Sequence, residues 1–356
     1  KQSDIGINGW AFECRVYAED PYKGFGLPSV GRLTKYEEPH RNVEGVRCDS
    51  GIREGSEISI YYDPLICKLV THGKDRQQAL DRMRDALDNY VIRGPTHNIP
   101  LLRDIVEEKR FRAGDITTKY LPQTYPDGFA GTVLSPEEES HIVALSAALQ
   151  ARKSARSQQF LNQTRQKGTV YDPYKKEYHF VVEFPKQGEN GTVHRTNVDV
   201  TFPDADRRTA NVVVDGKKIQ IRGDMNLAQS VLHLSANGKG MTTQIAGKRP
   251  GEFTLIFKGS PFKMKVMPAL ADSMLKYMKE KPKMDLSSVV ISPMPGAIKS
   301  VSAKPGMMVT EGQELCVMEA MKMQNSLLAG KTGKVKAVHC KPGDTVDEGA
   351  ILVELE

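Results

Sequence analysis

The sequence lacks any apolar run near the roughly 20 residues that a membrane-spanning helix requires. It also lacks paired-cysteine spacing. Cys14, Cys48, Cys67, Cys316 and Cys340 are odd in number, scattered and never arranged Cys-x-x-Cys. That pattern argues against a disulfide framework and points to a reducing compartment, with cysteines acting as small core residues. The eight histidines show no metal-ligand spacing, so no metal site is expected. Acidic and basic residues are interleaved, and a net charge of +6 over 356 residues leaves no nucleic-acid footprint. Residues 1–9 hold no initiator methionine and no signal-like stretch, which reads as a start inside a larger protein. What is present is ordinary for a globular chain: 39% hydrophobic and 26% charged residues, with length for two or three domains.

From Trp10 the residues alternate, with Trp10, Phe12, Cys14 and Val16 on one face and Glu13, Arg15 and Tyr17 on the other. This predicts a half-buried strand with Arg15 pointing away from the core. Residues 57–62 and 65–71 predict two further strands. Leu80, Met83, Leu87, Tyr90 and Val91 are spaced for one face of a helix that Gly94-Pro95 ends, and a second helix is expected over 98–109. This α+β block covers 1–121. Three prolines and two glycines in 122–136 mark a linker. A long helix is then expected from Glu137 to about Gln166, with Ile142, Leu145, Leu149 and Phe160 on one face. Its basic residues Arg152, Lys153, Arg156, Arg165 and Lys167 read either as a solvated face or as a docking face for a partner.

Beyond that helix the period switches to two. About eight short strands follow, with turn signals at Asp215-Gly216, Asn237-Gly238 and Gly259-Ser260. One helix beside many antiparallel strands predicts a small barrel packed on that helix, within 137–279. Gly238-Lys239-Gly240 is a turn, since no strand-to-helix context makes it a phosphate loop. A polar tether over 280–290 leads to a last domain over 291–356.

That last domain contains an internal repeat. Residues 296–319 and 333–356 align without gaps at an offset of 37, matching at Gly296/Gly333, Pro305/Pro342, Gly306/Gly343, Gly312/Gly349 and Leu315/Leu352, among others. Each copy carries Lys-Pro-Gly and Glu-Gly turns between short alternating strands. Two such units predict a flattened antiparallel barrel about a pseudo-twofold axis, which leaves few open edges. Lys322, between Met321 and Met323, lies on the connection between the copies.

Glu319-Ala320-Met321-Lys322-Met323 resembles the Ala-Met-Lys-Met signature of biotinyl carrier domains, and Pro293-Met294-Pro295-Gly296 matches as well. The resemblance implies biotin joined covalently to Lys322 by a biotin protein ligase, with Met321 and Met323 flanking it. Lipoyl domains share the fold and the lysine position but usually place Asp before it, so Met-Lys-Met favours biotin. A surface lysine between two core methionines is the plainer alternative. Residues 9–20, GWAFECRVYAED, resemble the C-terminal region of biotin carboxylase domains, as do Tyr61-Tyr62-Asp63-Pro64-Leu65-Ile66, Lys68-Leu69 and Thr96-His97-Asn98. This implies that Arg15 contacts biotin and stabilises negative charge on its ureido oxygen. The alternative is a strand arginine paired with Glu13. The ATP-grasp elements of that family, with the ATP and Mg2+ sites, are not in this segment.

The middle block resembles the subunit-docking domain of acyl-CoA carboxylase α subunits. Together these resemblances imply a multidomain α+β chain of a biotin-dependent acyl-CoA carboxylase, a carbon–carbon-bond-forming ligase of the mitochondrial matrix. They imply a carboxyltransferase β subunit as partner, and bicarbonate and an acyl-CoA as substrates. No nucleic acid or membrane partner is expected. A non-catalytic carrier and assembly subunit, or a lipoyl-bearing acyltransferase component, are the readings from other classes.

Overall fold

The computed structural model describes residues 1–22, 27–29, 31–39, 43–58, 63–161, 177–185, 193–278, 288–320 and 323–356. The chain divides into two compact units, Lys1–Lys276 and Tyr277–Glu356.

In the first unit, β1 (Trp10–Tyr17) pairs antiparallel with the strand Leu65–Gly73, which pairs in turn with Val46–Ser50. The expected alternation holds over Glu13–Val16, where Cys14 and Val16 are buried and Glu13 and Arg15 exposed, but Trp10, expected on the buried face, is 48% exposed at the start of the strand. Of the strand expected over 57–62, Glu57–Ile58 is present, and the rest lies outside the described residues. Helix α1 (Arg76–Asn89) begins at Asp75, whose carboxylate accepts from the Gln78 N–H, and buries Leu80, Met83 and Leu87. The helix stops at Asn89, short of the expected Tyr90 and Val91. Val91–Arg93 forms a strand against Lys35–Glu37 instead, as β-branched Val91 and Ile92 favour extended backbone. Helix α2 (Ile99–Glu107) takes Pro100 in its first turn. It ends two residues before the expected Lys109, because Glu108 is extended and its carboxylate caps a separate helix, α3 (Lys109–Ala113). Helix α4 (Tyr120–Thr124) then leads into the segment before the long helix and barrel.

Eight strands, from Glu177–Pro185 to Ser260–Pro268, form a closed barrel in which each strand pairs with its successor and the last with the first. Asp215-Gly216 and Asn237-Gly238 close two hairpins with both residues at positive φ, the geometry that suits the twist of paired strands. The third turn is Lys258-Gly259 rather than Gly259-Ser260: Phe257 pairs with Ser260, and Lys258 and Gly259 carry the positive φ values.

Helix α5 (Pro136–Leu161) differs from the one-faced helix expected. Ile142, Leu145 and Leu149 are buried, but so are Val143, Ala144, Ala147, Ala148, Ala151 and Ala155. A helix lying on a sheet buries one stripe. Burial on every side, with Ala wherever a large residue is missing, means that the barrel wraps around the helix. The Phe160 side chain and the expected extension to Gln166 lie outside the described residues. Arg152 donates to the Arg207 carbonyl at 3.0 Å, and Lys153 sits 5.9 Å from the Phe253 ring centroid. These two basic residues therefore serve the unit itself; Arg165 and Lys167 lie outside the described residues.

The second unit contains two four-stranded sheets. One runs Val289–Ile291, Ile351–Leu355, Gly333–Val338, Met308–Val309; the other runs Met323–Leu328, Glu314–Ala320, Gly296–Val301, Thr345–Val346. The strands starting at Gly296, Met308 and Glu314 recur at Gly333, Thr345 and Ile351, each 37 residues on. Each sheet thus mixes strands from both copies, as a pseudo-twofold demands. Ile298 and Val335, and Leu315 and Leu352, are equivalent pairs, each 1% exposed. Pairing starts at Val289, opposite Glu354, inside the tether expected through 290; residues 279–287 lie outside the described residues.

Candidate functional site

The two candidate centres fall in different units. On β1, Glu13, Arg15 and Tyr17 share the outward face because side chains two apart point the same way. The Arg15 side chain is 58% exposed, and its Nε donates to Glu13 Oε1 at 3.2 Å. The ion pair expected as the plain alternative is therefore real, yet it leaves the guanidinium open to solvent. Tyr17 first, then Glu13, hold the guanidinium above its ordinary pKa, so it stays cationic across the working pH range.

Beside this face, along the free edge of β1, lies a cleft of about 440 Å³ lined by Phe12, Leu102, Ile105 and Phe111 together with Glu13 and Arg15. An apolar cleft with a few convergent polar groups is a common setting for a small-molecule site. The segment Thr96-His97-Asn98 was singled out in the sequence without a role for Asn98. In the fold its amide closes on β1: Asn98 Nδ2 donates to the Arg15 carbonyl at 3.2 Å, and the Tyr17 N–H donates to Asn98 Oδ1 at 2.9 Å. Its neighbour His97 has its Nδ1 buried without a hydrogen-bond partner. Burial first, then the charge of Arg93, push that imidazole down to about 4. No spacing signal in the sequence could have shown either feature, because both depend on where α2 meets β1 and the barrel.

In the second unit, Glu314–Ala320 and Met323–Leu328 pair as a hairpin whose register runs to Ala320 opposite Met323. The link between them is Met321-Lys322. Met321, Lys322 and the side chain of Met323 lie outside the described residues. The flanking strands are anchored: Met318 is fully buried, and Glu319 meets Lys299 at 2.8 Å. The Pro293–Gly296 segment packs beside them, with Ser292 Oγ donating to the Met294 carbonyl at 2.6 Å and Asn325 Nδ2 lying 3.8 Å from Met294 Sδ. The hairpin strands on either side of this two-residue link are thus braced by burial and an ion pair.

Three domain families match in the same order. They are the biotin carboxylase C-terminal domain over residues 13–123, the propionyl-coenzyme A carboxylase BT domain over 142–281, and the biotin-requiring enzyme family over 288–355. Together the three matched segments cover most of the chain. Among relatives, it is 66% identical to the mitochondrial propionyl-CoA carboxylase alpha chain of Caenorhabditis briggsae over 332 residues, 93% of this chain and 45% of that one. It is 50% identical to the mitochondrial propionyl-CoA carboxylase alpha chain of Rattus norvegicus over 357 residues, spanning all of this chain and 47% of that one. Identity to the mitochondrial methylcrotonoyl-CoA carboxylase subunit alpha of Dictyostelium discoideum is 28%, over 92% of this chain and 46% of that one. The chain spans about half the length of the relatives it matches. β1 with Arg15 falls in the first matched segment, the barrel around α5 in the second, and the repeat with Lys322 in the third.

Proposed function

We propose that the chain is the C-terminal half of a propionyl-CoA carboxylase α subunit. In the complete enzyme a carboxyl group from bicarbonate is transferred, with ATP and Mg2+ acting at sites outside this segment, to the α-carbon of propionyl-CoA. The second transfer takes place on a carboxyltransferase β subunit and yields methylmalonyl-CoA. Biotin, when attached, supplies the ureido nitrogen that carries the carboxyl group between the two sites. Lys322 contributes the attachment amine, which is protonated at neutral pH with a free pKa of about 10.4 and gives up a proton when a biotin protein ligase presents activated biotin. Arg15 holds a fixed positive charge where negative charge develops on the ureido oxygen, the form of electrostatic stabilisation that commonly contributes most. The apolar cleft beside it gives the apolar part of biotin a surface to lie on. The barrel around α5 docks the β subunit, and the location is the mitochondrial matrix.

The observation that carries this reading is the barrel-wrapped helix standing between a carboxylase segment and a carrier, matched over 142–281 to the propionyl-coenzyme A carboxylase BT domain. The 66% against 28% identities support propionyl-CoA over methylcrotonyl-CoA. The test compares purified holoenzyme on the two acyl-CoA substrates. Faster turnover of propionyl-CoA is expected, and equal or better turnover of methylcrotonyl-CoA overturns the choice.

A further inference from the structure

We propose that Asn98 is a positioning residue for Arg15, holding the guanidinium in place by pairing with the free edge of β1; this rests on the proposed role of Arg15. Among the described residues, strand β1 has a sheet neighbour on one side only, the strand Leu65–Gly73. The outward backbone groups of Arg15 and Tyr17 therefore have no ladder to join. Asn98 supplies one in miniature. Its side chain donates to the Arg15 carbonyl and accepts from the Tyr17 N–H, and its own N–H donates to the Tyr17 carbonyl at 3.1 Å. A single residue thus copies the pattern of a paired strand across the residue that carries the guanidinium. The place matters, because the register of β1 slips between Val16 and Tyr17, where the sheet itself fixes the backbone least.

A second observation shows that the arrangement is not incidental. Asn98 is the N-cap of α2, the position from which an Asn side chain ordinarily accepts from the first-turn N–H groups. It makes no such bond. The capping interaction is forgone and the amide is turned outward onto β1. The segment that carries it is itself held: the Thr96 N–H donates to Ser29 Oγ at 2.9 Å, and Ile99 is buried. An amide offers the donor and the acceptor on two separate atoms of one planar group. A carboxylate at 98 would still accept from Tyr17 but would face the Arg15 carbonyl with like charge.

The test uses the full-length, biotinylated α chain and single-turnover transfer of labelled bicarbonate carbon to the carrier, in a double-mutant cycle of Asn98→Ala and Arg15→Ala. Asn98→Ala is expected to slow transfer about 10- to 100-fold, the scale of a small misplacement at a reacting centre, with the KM for ATP unchanged. In the Arg15→Ala background the same change is expected to have almost no effect. If Asn98→Ala fails to fold, Asn98→Asp, which keeps the Tyr17 bond, takes its place in the cycle. A full loss that persists in the Arg15→Ala background overturns the positioning role and leaves that of Arg15 intact. Unimpaired transfer by Arg15→Ala alone overturns both.

Discussion

At the scale of the residue, Arg15 can be separated into what alternation dictates and what the fold adds. The outward face and the Glu13 pairing both follow from residues spaced two apart, and both are present. The cleft beside the strand and the Asn98 bracket arise from residues some 80 positions away, beyond the reach of any local pattern. Because the Arg15 side chain is largely exposed, Arg15→Ala is expected to leave thermal stability nearly unchanged, within about 0.5 kcal/mol, while slowing carboxyl transfer to the carrier about 10²- to 10³-fold in the full-length chain. Paired measurement of melting and transfer checks this, and a matching loss of both would mark Arg15 as structural. His97 gives a pH prediction. Its folded pKa, about 4, lies below the unfolded value of about 6.5, so between those values the unfolded chain binds more protons. Stability therefore falls as pH drops through that window, by up to about 3 kcal/mol. Melts at pH 7 and pH 5 should converge in His97→Gln relative to the native chain; parallel curves would contradict the assignment.

The element scale turns on α5 and on the paired turns of the carrier. Sequence periodicity found the large residues of α5 but carried no signal for Ala144, Ala147, Ala148 and Ala151, because alanine suits an exposed helix face and a crowded lumen equally well. Only the closed barrel decides between them. Ala148→Leu should therefore overpack the lumen and cost about 1–3 kcal/mol, whereas on an exposed face it would be nearly neutral. A thermal melt distinguishes the two. The carrier was more legible, since an ungapped repeat constrains partner and register together. Gly306 and Gly343 have φ of 84° and 93°, and Gly312 and Gly349 have 79° and 80°, so equivalent turns share one left-handed conformation. Gly306→Ala and Gly343→Ala are each expected to destabilise by about 1 kcal/mol through strain at positive φ, and by similar amounts. Urea denaturation of both variants tests the pseudo-symmetry directly.

On the scale of the whole molecule, the first unit joins its α+β block to the barrel through Gln244. Its amide donates to the carbonyls of Asp88 and Tyr90 at 3.0 Å each and accepts from Arg93 at 2.9 Å, while the residue itself is buried. Gln244→Leu leaves those groups without their amide partner in a buried contact, at about 1–3 kcal/mol for each buried group. Faster proteolysis in the 122–136 segment is the expected signature, and an unchanged cleavage rate would show that the contact is dispensable. The alternation and the repeat could not have revealed this bracket, for a lone glutamine on a barrel strand carries no pattern. The central claim, biotin on Lys322, is tested most directly by intact mass and peptide mapping of the chain after exposure to a biotin protein ligase, ATP and biotin. A single biotinyl adduct on Lys322, absent from Lys322→Arg, is the predicted result; an unmodified Lys322, or a lipoyl group in its place, would contradict it.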